Sequence, residues 1–212
     1  MLNIRFVSAL AGIVSPLLIG VIDLVSIFSI PGYNPFVKSV SDLALTRLGW
    51  LQTTGFILSG LLVIMLAVGL YSSISKRRGF KTGIAFLAFC SFSLVIIGIF
   101  HKDPTGTAMT TRGMIHWAGA FVVFQLFPLV CFLLAPSLKA DPRWKSLFAY
   151  TTATGIIAVI LIAIGWCLGT DFHWFGLFER ILATNQGIWL EVISIRLLLL
   201  SHHPFPNTPL KA

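Results

Sequence analysis

The sequence predicts an all-α polytopic integral membrane protein, a bundle of six transmembrane helices with a short interfacial helix in the first outer loop. Three observations predict this fold. The 212 residues are 57% hydrophobic and only 10% charged, whereas soluble domains carry about 25% charged residues. The mean hydropathy is +0.93, and a soluble core cannot hide that much apolar surface from water. Finally, successive apolar runs of transmembrane length follow one another without a linker, so we expect a single domain, residues 1–212.

Six apolar runs are long enough to cross a bilayer. We place them near 5–29, 51–74, 82–100, 113–135, 146–168 and 176–200. Even the shortest, 82–100, reaches about 28 Å at roughly 1.5 Å per residue, close to the thickness of the hydrocarbon core. The first run resembles a signal peptide, but it is too long and lacks a small-x-small cleavage site. We therefore expect it to remain as the first transmembrane helix.

The basic residues predict the orientation, because cytoplasmic loops carry an excess of Lys and Arg. Ten of the 15 basic residues fall on one side of the predicted bundle: Arg5, Lys76, Arg77, Arg78, Lys81, Lys139, Arg143, Lys145, Arg196 and Lys211. The other five are Lys38, Arg47, Lys102, Arg112 and Arg180. We expect the ten to face the cytoplasm, with both termini cytoplasmic and the protein in the plasma (cytoplasmic) membrane. The loops near 30–50, 101–112 and 169–175 then face outward.

The first outer loop reads PGYNPFVKSVSDLALTRLGW. Asn34 is a suitable N-cap and Pro35 suits the first helical position. Apolar residues then follow helical spacing as far as Leu48, and Gly49 ends the run. The pattern predicts one short helix lying at the membrane interface.

Composition excludes several classes of function. The net charge of +8 forms no stripe, so we expect no nucleic-acid partner. Cys90, Cys131 and Cys167 are far apart in apolar runs, which is neither a disulfide framework nor a zinc signature. His101, Asp103, His116 and His173 are zinc-type ligands, but their spacing is not diagnostic, and no metal or cofactor can be named.

Polar chemistry is concentrated in the second outer loop and the start of the fourth helix, FHKDPTGTAMTTRGMIH. Asp103-Pro104-Thr105-Gly106 predicts a turn, and Thr110 or Thr111 can cap the helix. His116 lies one turn below Arg112 on the same face, which places an ionisable group inside a span. Such groups are costly and often functional.

The order of short motifs resembles the domain-of-unknown-function family 998, multi-pass membrane proteins of bacteria and archaea. The motifs are PGYNP, VSDL, GWLQTTGF, AVGL, Asp103 followed by GMIH, and GLFER with the later Trp189. The resemblance runs from about residue 10 to 198. It carries over the positions Tyr33, Ser41, Asp42, Gly49, Trp50, Asp103, His116, Arg180 and Trp189. The resemblance supports the predicted fold and implies no activity.

The candidate site is an outward-facing polar pocket in which His116 and Asp103 are the candidate catalytic residues. His116 could act as a general base, with Asp103 orienting it. The ligand-pocket candidates are Tyr33, Ser41, Asp42, Arg112, Glu179 and Arg180. Ser41 and Asp42 with His116 invite a nucleophile hypothesis, but we prefer the interpretation that they form the polar face of the interfacial helix, because Ser41 lacks a G-x-S-x-G context. We expect Arg180 to pair with Asp42 or Asp103, and Glu179 with Arg112.

Two carboxylates, Asp23 and Glu191, are predicted inside the membrane. They support an alternative function as a small proton-coupled carrier. Six helices are few for a carrier, so this alternative predicts a homo-oligomer. The leading hypothesis is a site that binds a lipid headgroup or small polar ligand, with hydrolytic chemistry as its extension. A structural or accessory membrane subunit without catalysis is the third hypothesis, and membrane lipids are the expected partners in each.

Overall fold

The structure is a computed structural model, which describes residues 3–169 and 172–201. These residues form six α-helices and two short 3-10 helices, and they contain no β-strand. The α-helices are α1 (Ile4–Ser29), α2 (Gly49–Ser73), α3 (Phe80–Ile99), α4 (Thr111–Ala140), α5 (Phe148–Leu168) and α6 (Phe175–Ser201). The 3-10 helices are Val40–Leu45 and Lys145–Leu147.

Five helices, α1 to α5, are long and apolar enough to cross a membrane. The predicted all-α, multi-pass membrane fold is therefore confirmed. The sixth predicted segment also forms a helix, α6, but it differs from the others in carrying Glu179, Arg180, Glu191 and Arg196.

The helices pack as an antiparallel ring in which each contacts its neighbour in sequence and α6 closes against α1. Large side chains from α2, α4 and α6 fill the centre of the ring: Leu66, Leu70, Val130, Leu134, Trp189, Ile193 and Leu197 are each at most 1% exposed. Trp189 packs edge-on against Phe127 at 5.5 Å between ring centroids and donates a hydrogen bond from Nε1 to Thr151 Oγ1 at 3.2 Å.

The ring has two polar ends. One, the His116 end, holds residues 30–48, residues 100–110 and the first turns of α4 and α6. The other, the Asp141 end, holds residues 74–79 and 141–147. Four of the six tryptophans are exposed near the His116 end: Trp50, Trp117, Trp166 and Trp174.

The predicted continuous interfacial helix between Asn34 and Leu48 is wrong in its extent. Asn34 caps only a turn, in which Lys38 N–H donates to Asn34 O at 2.9 Å. The chain is extended at Ser39, and the 3-10 helix Val40–Leu45 starts afresh there. The cause is a capping box in which the Ser39 and Asp42 side chains each bond the other's backbone N–H.

A substitution at Gly60 tests how closely α2 packs on α3. A Cβ at Gly60 would lie 2.5 Å from the Ser91 carbonyl oxygen of α3, a backbone atom that cannot move alone. We expect Gly60→Ala to lower the free energy of unfolding by about 1–3 kcal/mol, measured by thermal unfolding in detergent. Gly20 is the matched control, because nothing lies within 4 Å of its Cβ position. An equal effect of the two substitutions would contradict this packing.

Candidate functional site

Of the side chains predicted to line an outward pocket, six lie together at the His116 end, but their partners differ from those predicted: Tyr33, Ser41, Asp42, His116, Glu179 and Arg180. Residues 30–48 lie against the first turn of α6, where Leu177 N–H donates to Phe36 O at 3.0 Å. This approach requires Gly176, because a Cβ there would lie 2.2 Å from the Lys38 carbonyl oxygen. The third predicted outer loop contributes less, since His173 is exposed and Asp171 lies outside the described residues.

Arg180 joins α6 to α1 and to the first loop. Its Nε and Nη2 bond the two carboxylate oxygens of Asp23 at 3.0 and 2.9 Å. Its Nη1 donates to the carbonyl oxygens of Pro35 and Lys38, both at 2.8 Å, and of Gly176 at 3.1 Å. The predicted partners Asp42 and Asp103 are wrong. Since both carboxylate oxygens of Asp23 are held by Arg180, Asp23 serves here as one half of an ion pair.

Tyr33 extends this network into the loop. Its hydroxyl accepts a hydrogen bond from Arg180 Nη2 at 3.0 Å and donates to Ser39 O at 2.6 Å. Burial raises the pKa of Tyr33 to about 12, against the opposing effect of Arg180. The hydroxyl therefore stays protonated and fixes the start of the 3-10 helix.

The two remaining acidic candidates of the first loop and α6 also bind the 3-10 helix. Glu179 Oε2 accepts from Val40 N–H at 2.9 Å, so its predicted pairing with Arg112 is wrong. Asp42 Oδ2 accepts from Ser39 N–H at 2.8 Å, and Asp42 Oδ1 lies 2.7 Å from Lys102 Nζ. Arg112 itself is exposed, with a long bond to Ile99 O at 3.5 Å.

Asp103 lies over the start of α4 and not beside the His116 ring. Its two oxygens accept from Thr110 N–H at 2.7 Å and from Thr110 Oγ1 at 2.8 Å. Thr110 in turn caps the helix by accepting from Gly113 N–H at 3.2 Å, as the sequence predicted. Glycine is needed at position 113, because a Cβ there would lie 1.9 Å from Asp103 Oδ2. A carboxylate is also favoured at this terminus by the helix dipole.

His116 contacts Ser41 and the end of α3. His116 Nδ1 lies 2.7 Å from the Phe100 carbonyl oxygen, and His116 Nε2 lies 3.1 Å from Ser41 Oγ. A carbonyl oxygen only accepts hydrogen bonds, so Nδ1 must carry the proton. In the neutral ring Nε2 is then an acceptor, and Ser41 donates to it. The sequence favoured a place for Ser41 on the polar face of an interfacial helix, whereas Ser41 and His116 are 7% and 4% exposed.

Other polar residues complete the surroundings of this pair. His101, exposed only in part, lies 2.8 Å through Nε2 from Thr53 Oγ1. Burial, followed by the charge of Arg112, lowers the pKa of His101. Among the described residues, no group of three or more His, Cys, Asp or Glu side chains could hold a metal ion.

Two components of the site, and one buried amide in the first turn of α2, were missed by sequence reasoning. The Phe100 carbonyl carries no sequence signal, because it is backbone. The Lys102–Asp42 pair joins residues 60 positions apart and could not be chosen over Lys102–Asp103. Gln52 does have a signal, as the lone amide in an apolar run. It is fully buried, and neither of its amide atoms has a hydrogen-bond partner within the described part of the chain.

The second intramembrane carboxylate, Glu191, lies apart from this site. It is 11 residues beyond Arg180 on α6, roughly 16 Å along the helix axis. Its Oε1 is buried and finds no partner among residues 3–169 and 172–201. Arg196, in contrast, reaches the Asp141 end, where it donates to the Arg143 carbonyl oxygen.

Fold and site together define a helical multi-pass membrane protein with a closed, hydrogen-bonded polar cluster at one end. The family model described as "Protein of unknown function (DUF998)" matches residues 13–196. The chain therefore belongs to this family, as the sequence motifs indicated. The matched range contains every residue of the cluster. No curated protein and no solved structure matches the chain.

The Arg180–Asp23 pair should carry much of the stability of the His116 end. Each side chain is 15% exposed, and removal of one partner of such a pair leaves a poorly solvated charge. We expect Asp23→Asn and Arg180→Gln each to cost about 3 kcal/mol, measured by titration with a denaturing detergent. Arg112→Gln, an exposed arginine at the same end, should change stability by less than about 0.5 kcal/mol. Similar losses in all three variants would refute the assigned role.

Asp42 should make the same end sensitive to acid. Burial alone would raise the pKa of Asp42, but the Lys102 ammonium and the Ser39 hydrogen bonds outweigh it, and the pKa lies below its usual value. The stabilisation is thus complete above the unfolded pKa of about 3.9 and is lost as the pH falls through the lower folded pKa. Thermal unfolding between about pH 6 and pH 3 should show a smaller acid-induced loss in Asp42→Asn than in wild type. Parallel curves for the two proteins would contradict this assignment.

Proposed function

We propose that this protein is an ester hydrolase or acyltransferase of the membrane surface, with Ser41 as nucleophile and His116 as general base. The observation that carries the proposal is the 3.1 Å contact between Ser41 Oγ and His116 Nε2, made while His116 Nδ1 is held by the Phe100 carbonyl at 2.7 Å. A nucleophile, a base and a group that orients the base are the three parts of an activated hydroxyl. The orienting group here is a backbone carbonyl rather than a carboxylate.

The tautomer of His116 determines which ring nitrogen can act as the base in the reaction. Because Nδ1–H is fixed on Phe100 O, the Nε2 lone pair faces the serine hydroxyl. As Ser41 Oγ bonds to the carbonyl carbon of an ester, its proton passes to His116 Nε2. The leaving alcohol takes that proton when the ester C–O bond breaks, which leaves an acylated Ser41. Water then adds to the acyl carbon, gives a proton to Nε2, and Ser41 recovers that proton as the acid leaves.

The position of the pair favours a lipid ester as substrate. Tryptophans are enriched at the headgroup level of membranes, and Trp117 is 53% exposed directly beside His116 in sequence. Trp50, Trp166 and Trp174 are exposed at the same end. An ester joining a headgroup to an acyl chain lies at this depth of a bilayer. These positions support the lipid surface as the location of the proposed outward polar pocket, in a closed form.

Substrate access requires movement of the 3-10 helix Val40–Leu45, because Ser41 and His116 are both buried. The contacts that hold this helix down on the loop side are the Asp42–Lys102 pair at 2.7 Å and the Glu179–Val40 bond at 2.9 Å. Lys102 is 24% exposed, so the Asp42–Lys102 ion pair is weaker than the less exposed Arg180–Asp23 pair. Opening at Lys102 would uncover Ser41 without breaking the Arg180–Asp23 pair.

The orientation of the protein in the membrane and α6 as a sixth span belong to the same proposal. The α6 helix has 27 residues, about 40 Å at 1.5 Å per residue, which is enough to cross a bilayer. With six spans, the basic residues at the Asp141 end support a cytoplasmic location for that end and for both termini. The His116 end then faces outward from the plasma membrane.

A second candidate is a purely structural cluster in a non-catalytic membrane subunit. One specific observation favours it: Ser41, His116, Asp23, Arg180, Asp42 and Lys102 all have partners, and Ser41 and His116 are buried. The carrier alternative has less support, because Asp23 is held by Arg180 at 2.9 Å and lies far along the bundle from Glu191.

A fluorophosphonate probe separates catalysis from structure, since it labels only an activated serine. We expect wild-type protein in lipid nanodiscs to be labelled, and Ser41→Ala to lose this labelling completely because the nucleophile is gone. His116→Gln should lose at least about 100-fold of the labelling rate, the usual contribution of a general base. Lys102→Gln should raise the rate by loosening the loop. Ser91→Ala is the matched control, because its buried hydroxyl bonds only Leu87 O of its own helix.

The structural alternative predicts a different pattern. Neither wild type nor Lys102→Gln would be labelled, and Ser41→Ala would lose about 1 kcal/mol of stability from the broken hydrogen bond. That result would exclude the proposed chemistry.

A further inference from the structure

Glu191 is a titratable group that the chemistry proposed at the His116 end does not use. The residues one turn on either side of it face α1. A Cβ at Gly187 would lie 3.4 Å from Pro16 Cβ, and Ser194 Oγ occupies the space that a Cβ at Gly12 would need. Because residues three and four apart share one face of a helix, Glu191 also lies on the side of α6 that packs on α1. Its Oε1 is buried without a hydrogen-bond partner in the described part of the chain.

The helices that pack against α6 place no opposite charge at the level of Glu191. Apart from Cys131 of α4, their ionisable residues lie toward the helix ends: Arg5 and Asp23 of α1, Tyr71 of α2, Arg112, His116 and Lys139 of α4, and Tyr150 and Cys167 of α5. On α6 itself, Arg196 donates to the Arg143 carbonyl oxygen at the Asp141 end. An unpaired carboxyl group away from water is favoured in its neutral, protonated form. Glu191 is therefore a place where the membrane interior can hold a proton.

Buried serine hydroxyl groups lead from Glu191 toward the Asp141 end. Ser194, one turn further along α6, is fully buried and lies beside Gly12 of α1. Ser8, one turn before Gly12, is fully buried too, and its Oγ lies 2.9 Å from the Cβ position of Gly69 on α2. Each hydroxyl group thus lies against the helix that carries the next one.

Ser73 completes this file of serines at an opening to the surface. It follows Gly69 by one turn of α2, is 2% exposed, and lines a cavity of about 350 Å³ that opens at the Asp141 end. The Oγ atoms of Ser194, Ser8 and Ser73 are buried, and none has a hydrogen-bond partner among residues 3–169 and 172–201. Buried hydroxyl groups in proteins are mostly hydrogen-bonded, to protein or to water. Three such groups in succession therefore point to water as their partner.

The serines of α1 and α2 toward the His116 end are engaged differently. Ser15 Oγ donates to Ser59 O at 3.2 Å, and Ser59 Oγ donates to Ser15 O at 3.1 Å. They are as buried as Ser8 and Ser73, but a backbone carbonyl oxygen holds each hydroxyl proton. The Ser15–Ser59 pair therefore interrupts a continuation of the file toward the His116 end.

We propose that Glu191 is a proton-binding site within the membrane, which exchanges its proton with water at the Asp141 end through Ser194, Ser8 and Ser73. Successive hydroxyl groups lie about one helical turn apart, roughly 5 Å, a gap that one water molecule spans by bonding to both. Chains of hydrogen-bonded groups that include an intramembrane carboxyl are typical proton relays. The proposal is independent of the chemistry at Ser41 and His116.

The exchange leaves no charge on the serines. The Glu191 carboxylic acid gives its proton to the first oxygen of the file, and each oxygen in turn accepts one proton and releases another. Water in the cavity takes up the last proton, which leaves a carboxylate at Glu191. The reverse sequence restores the acid.

Infrared spectroscopy of the full chain in lipid nanodiscs tests this exchange. A protonated Glu191 gives a carboxylic acid C=O band that is absent in Glu191→Gln and shifts when H₂O is replaced by D₂O. We expect the band in wild type at neutral pH. Ser8→Ala and Ser194→Ala should each slow its shift at least about tenfold, because each removes one hydrogen-bonded step. Ser59→Ala is the matched control, a buried serine outside the file, and should leave the rate unchanged.

Either serine variant decides the test if the other fails to fold, because both hydroxyl groups belong to one file. Alanine is also the best helix former, so a slower shift reports the loss of the hydroxyl group. The absence of a band that depends on Glu191 would overturn the proposal, since the carboxyl group would then be ionised. A band that does not shift in D₂O, or that shifts equally fast in wild type, Ser8→Ala and Ser194→Ala, would overturn it as well.

Discussion

The His116 end depends on one constraint: an arginine in apolar surroundings needs all its N–H groups paired. Arg180 meets this requirement with Asp23, Tyr33 and the carbonyls of Pro35, Lys38 and Gly176. These partners come from α1, from the first loop and from α6 itself. The guanidinium consequently fixes where the loop can lie. Breaking one contact would expose a charge to a medium that cannot solvate it, which makes the arrangement of the loop specific.

The Ser41–His116 contact follows from that arrangement. The first loop reaches α4 only because Arg180 and Tyr33 hold residues 35–39 against α6, and Glu179 holds Val40. Ser41 is then the next residue, directed toward His116 Nε2. On the opposite side of the His116 imidazole, the end of α3 supplies the Phe100 carbonyl oxygen as the partner of Nδ1. Three separate segments thus determine a single imidazole orientation and tautomer. A histidine that is only solvated by water makes no such fixed contacts on both ring nitrogens. The geometry therefore suits a general base that is oriented toward one partner.

Sequence patterns predicted the helices well, because length and apolarity alone decide which segments can cross a membrane. Local rules also predicted the Thr110 cap of α4. The same rules failed at residues 34–48, where the Ser39–Asp42 capping box competes with the Asn34-Pro35 start. The predicted sidedness of the loops correctly placed six polar residues at one end of the bundle: Tyr33, Ser41, Asp42, His116, Glu179 and Arg180. It could not assign partners, because pairings such as Arg180 with Asp23, 157 positions apart, depend on helix packing and on backbone atoms that carry no sequence signal.

The most direct measurement of the central claim is the protonation of the His116 ring, observed by ¹⁵N NMR of histidine-labelled protein in nanodiscs and assigned with His116→Gln. The account predicts a neutral ring with the proton on Nδ1 and a hydrogen-bonded, unprotonated Nε2 whose chemical shift moves in Ser41→Ala. A ring protonated on Nε2, or an Nε2 signal that does not respond to Ser41→Ala, would contradict the claim that His116 is poised as a base toward Ser41.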